Sequence, residues 1–281
     1  MKVTKAVTTS VLVLIVAGTF TSCKKNISDT TSADANAVSQ DEKAVIAAAG
    51  FNSNWVEKTG EGFLIEGDIL LTKDQLQEMA GTTPTNNFIV ANEEHYRTYN
   101  LVRTPSTSYR TITVRLTSGF PARYSTGLNQ SIARYNSYNL KIRFQRVSSG
   151  GNIVITAADL GTSGGGCILG RAAGFPSGGN PSSGFTLSNS SCATAYISDA
   201  NKADEVIAHE IGHCIGFRHT DYKNRASCGP GAGESAGSIG AVHITGTPTR
   251  VSGSYNSWMM ACTNGNPDFG SADGTALNYV Y

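Results

Sequence analysis

The sequence predicts an α+β fold built around a parallel strand pair, and three observations carry that prediction. Strand and helix periodicities alternate from Thr111 onward: Ile112, Val114 and Leu116 alternate, Tyr124, Leu128, Ile132 and Tyr135 recur at helical spacing, and Leu140, Ile142 and Phe144 alternate again. A strand, a crossover helix and a second strand imply a parallel pair with a right-handed connection. The 31 glycines, with abundant serine and threonine, point to short strands joined by loops. Residues up to about Ile215 then read as one helix that carries two histidines four positions apart, His209 and His213.

Taken from the N-terminus, residues 1–22 read as an export signal. Lys2 and Lys5 form a basic start, Ala6 to Phe20 an apolar stretch, and Thr21-Ser22-Cys23 a small-residue site. This resembles a bacterial lipoprotein signal, with Phe20 in place of the usual leucine, and implies an exported protein lipidated on Cys23 and anchored to the cell envelope. The stretch is too short and too rich in threonine to span a bilayer. Residues 23–50, with Lys24, Lys25 and a Thr-Ser-Ala-Asp-Ala-Asn run, read as a flexible tether. Residues 51–105 read as a small compact α+β unit. In it, Phe63-Leu64-Ile65 and Ile69-Leu70-Leu71 flank a turn at Glu66-Gly67-Asp68, and Thr72 with Gln75 forms a capping box.

A larger domain, 106–281, comes next. After the alternating segment, Asn152 to Thr156 is a short apolar run and 161–184 a glycine-rich loop. No helix follows that loop directly, which excludes a phosphate-binding reading. Phe185 to Leu187 and Ala195 to Ile197 are candidate strands, and Asn201 with Asp204 three residues on would cap the histidine helix. A net charge of +1 with 15% charged residues leaves no electrostatic footprint for nucleic acid. Five cysteines follow Cys23, all in the second half, and in an exported chain this argues for disulfides. Cys167 with Cys192 is the first expectation, and a second bridge should join two of Cys214, Cys228 and Cys262. A second, cysteine-rich metal site lacks any C-x-x-C spacing to support it.

The chemistry is concentrated in residues 209–219, His-Glu-Ile-Gly-His-Cys-Ile-Gly-Phe-Arg-His. Four residues apart on a helix, His209 and His213 project from one face about one turn from each other, as two corners of a zinc tetrahedron require. Glu210 stands beside them as a general base for a zinc-activated water. Gly216 can turn left-handed and end the helix, so that His219 returns as third ligand. The pattern fixes five positions and arises by chance in about one chain in ten thousand of this length. The other histidines, His95 and His243, have no partner at ligand spacing and read as surface or structural residues.

H-E-x-x-H-x-x-G-x-x-H is the signature of the metzincin metalloproteases, and the wording here resembles the bacterial HEIGH-type metallopeptidases. The resemblance covers roughly residues 106–281. It implies a twisted, mostly parallel sheet with an antiparallel edge strand, an active-site helix, a small irregular C-terminal subdomain and a closing helix over Ser271 to Tyr281. It also implies a methionine turn under the metal: Ser257-Trp258-Met259-Met260 occupies the expected place, with Met259 40 residues after His219 and its Ser-x-Met form favouring Met259 over Met260. Ala261 stands where some relatives carry a functional tyrosine, so no such role transfers.

The expected activity is a zinc endopeptidase with one catalytic Zn2+, acting on protein or peptide substrates as a monomer. A non-proteolytic binding or adhesion lipoprotein and zinc hydrolysis of a non-peptide bond are the alternatives; Glu210 argues against a purely structural metal. Finally, Ile65-Glu66-Gly67-Asp68 resembles the Phe-x-Gly-Asp motif of astacin prosegments, with isoleucine replacing phenylalanine. That resemblance implies Asp68 as a fourth zinc ligand in a latent form; a plain hairpin turn accounts for the same residues.

Overall fold

The computed structural model describes residues 37–81, 95–163, 165–229, 233–248, 255–263, 265 and 268–281. The signal and Cys23 lie outside the described residues. Helix α1 (Gln40–Ala49) opens on a reciprocal capping box: Ser39 Oγ accepts from the Glu42 N–H, and the Glu42 carboxylate accepts from the Ser39 N–H. The expected tether over 23–50 therefore needs correction. Its last third is helix, because the box starts one and Ile46 and Ala49 are buried.

Strands β1 (Val56–Thr59), β2 (Gly62–Ile65) and β3 (Ile69–Leu71) form an antiparallel meander, with Ile65 opposite both Val56 and Ile69. Helix α2 (Lys73–Ala80) starts at the Thr72–Gln75 capping box that the sequence indicates. Ile46, Phe51, Phe63, Ile69 and Leu76 form a small core with Ile239, a residue far along the chain. Full burial of each large apolar side chain is worth about 1.5–3 kcal/mol, so this core ties the N-terminal elements to the later loop.

Strand β4 (Tyr96–Arg97) precedes β5 (Arg110–Leu116), α3 (Ala122–Asn136), β6 (Ile142–Arg146) and β7 (Ile153–Ala158). As the periodicity implies, β5 runs parallel to β6, and also to β7. The glycine-rich segment holds β8 (Thr162–Ser163), β9 (Gly166–Cys167) and β10 (Gly170–Ala172), and β11 (Gly184–Ser188) comes after it. Ala195 to Ile197 is not a strand. Ser190 Oγ accepts from the Ala193 N–H and starts the short helix α4 (Ser191–Tyr196) instead. Helix α5 (Ala200–Cys214) is capped by Asp199, whose Oδ1 accepts from the N–H groups of Asn201 and Lys202. The expected cap at Asn201 is thus two residues late, and Asp204 is buried against Arg134 and Ser131 instead. A 3-10 turn (Ala226–Cys228), β12 (Val242–His243) and α6 (Ser271–Val280) complete the chain. Ala276 and Leu277 line the buried face of α6, and Val280 is partly buried against the same core. Among the described residues the disulfides are Cys167–Cys192 and Cys228–Cys262, and Cys214 is free and buried.

Among the described residues the main sheet has eight strands in the order β1-β2-β3-β10-β11-β7-β5-β6. Four neighbouring strands from β11 to β6 are parallel, and β10 is antiparallel to β11. The other side of β10 is taken by β3, in parallel, with Ala172 opposite Ile69 and the Ala172 N–H donating to the Asp68 carbonyl at 2.7 Å. The larger core lies between this sheet and α3 and α5, filled by Ile112, Val114, Ile153 and Leu187 from the strands and Leu128, Tyr135, Ile207 and Ile211 from the helices.

Residues 51–105 are accordingly not a unit of their own. Their first part extends the main sheet, and their last part packs against segments much later in the chain: β4 pairs with β12, the Thr98 N–H donates to the Gly216 carbonyl at 2.8 Å, and His95 Nε2 meets Asp273 Oδ1 at 2.6 Å in a buried contact. Among the described residues no helix is long and apolar enough to cross a membrane.

Candidate metal centre

Helix α5 carries His209 and His213 on one face, with ring centroids 4.8 Å apart. After α5 the backbone turns at Gly216, whose φ of +105° is open to glycine and strained for other residues. His219 is thereby returned to the same point, 4.9 Å from the His213 ring and 5.3 Å from that of His209.

Each imidazole is oriented by an acceptor at its Nδ1. His209 Nδ1 donates to the Trp258 carbonyl at 2.9 Å, His213 Nδ1 to the Phe217 carbonyl at 2.9 Å, and His219 Nδ1 to the Glu234 carboxylate. With Nδ1 engaged in this way, each ring turns its Nε2 inward, the arrangement by which metal-binding histidines are fixed. The supports are themselves held: Trp258 Nε1 donates to Tyr135 Oη at 2.8 Å, and the Thr220 N–H donates to the Met259 carbonyl at 2.7 Å. Ser257 Oγ accepts from the Met259 N–H and pairs with Thr220 Oγ1, which explains the Ser-x-Met form of this turn. Met259 packs against Gly212 so closely that a Cβ there would lie 2.2 Å from its sulfur. Met260 is buried as well.

The fourth donor comes from the β2–β3 turn. Asp68 Oδ2 lies 2.6 Å from His219 Nε2 and 3.4 Å from both His209 Nε2 and His213 Nε2. The four donor atoms are all within 4.8 Å of one another. The turn is real, and it is what presents the aspartate.

Three tests bear on whether a cation fits. His213 Nε2 is buried without a hydrogen-bond partner among the described residues, as are Asp68 Oδ1 and Glu210 Oε2. Three imidazole nitrogens and a carboxylate oxygen are a donor set suited to zinc. Burial disfavours a charged His219, yet the Asp68 and Glu234 carboxylates outweigh it and raise its pKa well above the ordinary imidazole value. The point where the donors meet therefore calls for positive charge. The two acidic groups respond in opposite directions. Burial pushes Asp68 up, but the charge of His219, with the His209 and His213 rings close by, holds it well below the usual carboxylate range. Burial, and then the Asp68 charge, push Glu210 well above that range.

A model of the dual-action HEIGH metallo-peptidase family matches residues 63–281, a span that takes in both the histidine motif and the β2–β3 turn. The chain belongs to this family. The family is one of metallopeptidases. Two myroilysin structures resemble parts of it, at 20% and 17% identity and TM-scores of 0.28 and 0.33. They cover 41% and 60% of this chain and are themselves covered to 45% and 83%. High choriolytic enzyme 1, a hatching enzyme zinc-protease from Oryzias latipes (medaka fish), is 16% identical at a TM-score of 0.27, over 44% of this chain and 52% of its own. The chain thus spans about half the length of two of these three. No curated protein matches it.

The structure brings together His209, His213, His219, Glu210, Asp68 and Met259, while His95 and His243 stand apart from the metal centre. His95 is structural, bound to Asp273. Sequence reasoning passed over Arg218, Glu234, Arg225 and Glu66, which surround His219. The one signal was Arg218 itself, a charge between Phe217 and His219 in an apolar run, which needs a buried partner.

Proposed function

We propose that the chain is a zinc-dependent endopeptidase made in a latent form, with the β2–β3 turn occupying the cleft that substrate later takes. The observation that carries this reading is the approach of one Asp68 oxygen to all three imidazole Nε2 atoms. His209, His213 and His219 would hold the ion, with Asp68 as a fourth donor in the latent state. When bound, zinc supplies Lewis-acid polarisation of a carbonyl and of water.

Glu210 accepts the proton from water and returns it to the leaving amine. In the latent structure burial, and then the Asp68 charge, raise its pKa above the usual carboxylate range, which disfavours the basic form. Withdrawal of the turn admits water and removes the neighbouring charge. Both changes favour the carboxylate form that a general base needs. The same withdrawal frees the outer side of β10, whose backbone groups can pair with an extended substrate.

The test is cleavage of a denatured-protein mixture by purified, zinc-loaded protein after removal of residues preceding His95. Activity lost in Glu210→Ala, with one zinc per chain retained, supports the reading. An active alanine variant, or a stoichiometry well below one, contradicts it. The N-terminal sequence further supports export and anchoring through a lipidated Cys23, with the protein acting as a monomer.

A further inference from the structure

The β2–β3 turn carries a second carboxylate into the cleft. Glu66 is fully buried, with its backbone in the left-handed region at φ +55°, a conformation uncommon for a residue with a side chain. Its Oε2 accepts from Arg218 Nη2 at 2.8 Å. The same Arg218 nitrogen lies 3.4 Å from Glu234 Oε2, and Arg225 Nη1 donates to Glu234 Oε1 at 2.7 Å. Arg218 is held from behind by the carbonyls of Ser235 and Gly240. Two guanidinium groups thus face two carboxylates.

The balance depends on the turn. Arg218, Arg225 and Glu234 belong to the chain around and after the metal ligands and stay when the turn withdraws; Glu66 leaves with Asp68. Two guanidinium groups then share one carboxylate, which is also committed to His219. A guanidinium in such a recess is unfavourable until another anion replaces the lost partner.

We propose that Arg218 forms the base of a substrate subsite for an acidic side chain, which Glu66 fills in the latent protein. This rests on the reading of the turn as a displaceable occupant of the cleft. Because Glu66 lies two positions from Asp68, the acidic residue of the substrate belongs within about two residues of the cleaved bond. The geometry favours aspartate or glutamate over their amides, since the amide restores the shape without the charge.

Two measurements on the full-length, zinc-loaded protein test this. In Glu66→Ala, propionate should raise the Tm, while propionamide at matched ionic strength should not, and wild type should respond to neither. With Glu66→Ala and Asp68→Ala combined, peptides carrying glutamate near the cleaved bond should be cut at least about tenfold better than their glutamine counterparts. Arg218→Met in that background should abolish the preference. Equal effects of propionate and propionamide would overturn the carboxylate pocket, and this arm stands even if the Arg218 variant fails to fold. Cleavage without preference for the acid would overturn its role toward substrate. A propionate effect with no cleavage of any peptide would sink the endopeptidase reading, and the substrate subsite with it, while leaving an anion pocket as the finding.

Discussion

At the scale of single residues, the centre is a set of lone pairs and charges aimed by neighbours. Glu210 touches no ligand position, so Glu210→Ala should leave zinc content unchanged and lower the rate of the activated protein by about 10²–10⁴-fold, as expected for loss of a general base. Metal analysis beside a peptide assay checks both halves. Glu234 orients His219 from behind, and Glu234→Ala should weaken zinc binding by about 10–100-fold, read by competition with a chelator. Unchanged affinity would mean that His219 is aimed by the backbone alone. The legibility of these residues depends on distance along the chain. The three histidines and Glu210 lie within eleven positions of each other, so helical geometry and the turn at Gly216 relate them. Asp68 and His219 are 151 residues apart, and only a motif resemblance linked them. The Glu66–Arg218 pair is 152 residues apart and no motif linked its members, although Arg218 stands as a charge in an apolar run.

At the scale of elements, long periodic segments were readable and short ones were not. Strand β5, helix α3 and strand β6 show their periods over several residues. The two-residue strands β4 and β12 have no period to show, yet their pairing fastens residues 95–105 to the body. Asp199 and Asn201 are both good caps, and only the start of α5 decides between them. Two predictions belong here. A chain beginning at His95 should fold, whereas one beginning at Ser106 loses β4, the Thr98–Gly216 hydrogen bond and His95, and should show no cooperative thermal transition. Second, Asp273 accepts from the Trp258 N–H at 3.2 Å and from the Gly270 N–H at 2.7 Å besides meeting His95. Asp273→Ala should therefore cost about 3 kcal/mol or more in urea unfolding. A loss under about 1 kcal/mol would mean that these groups re-pair with water.

At the scale of the whole molecule, the N-terminal elements and the catalytic part share one sheet, one small core and one charge cluster. The sequence reading divides them at about residue 105, but β3 joins them by pairing with β10. For cellular placement, Cys23→Ala should move the protein from the membrane to the soluble fraction; a variant that stays membrane-bound contradicts the lipid anchor. The central claim is that Asp68 holds the metal centre closed. Its most direct test is the peptidase activity of the full-length, zinc-loaded protein carrying Asp68→Ala, compared with wild type and with the chain beginning at His95. The predicted result is low activity in wild type, a clear rise in Asp68→Ala and a larger one in the shortened chain. Equal activity in all three would show that Asp68 is only a turn residue.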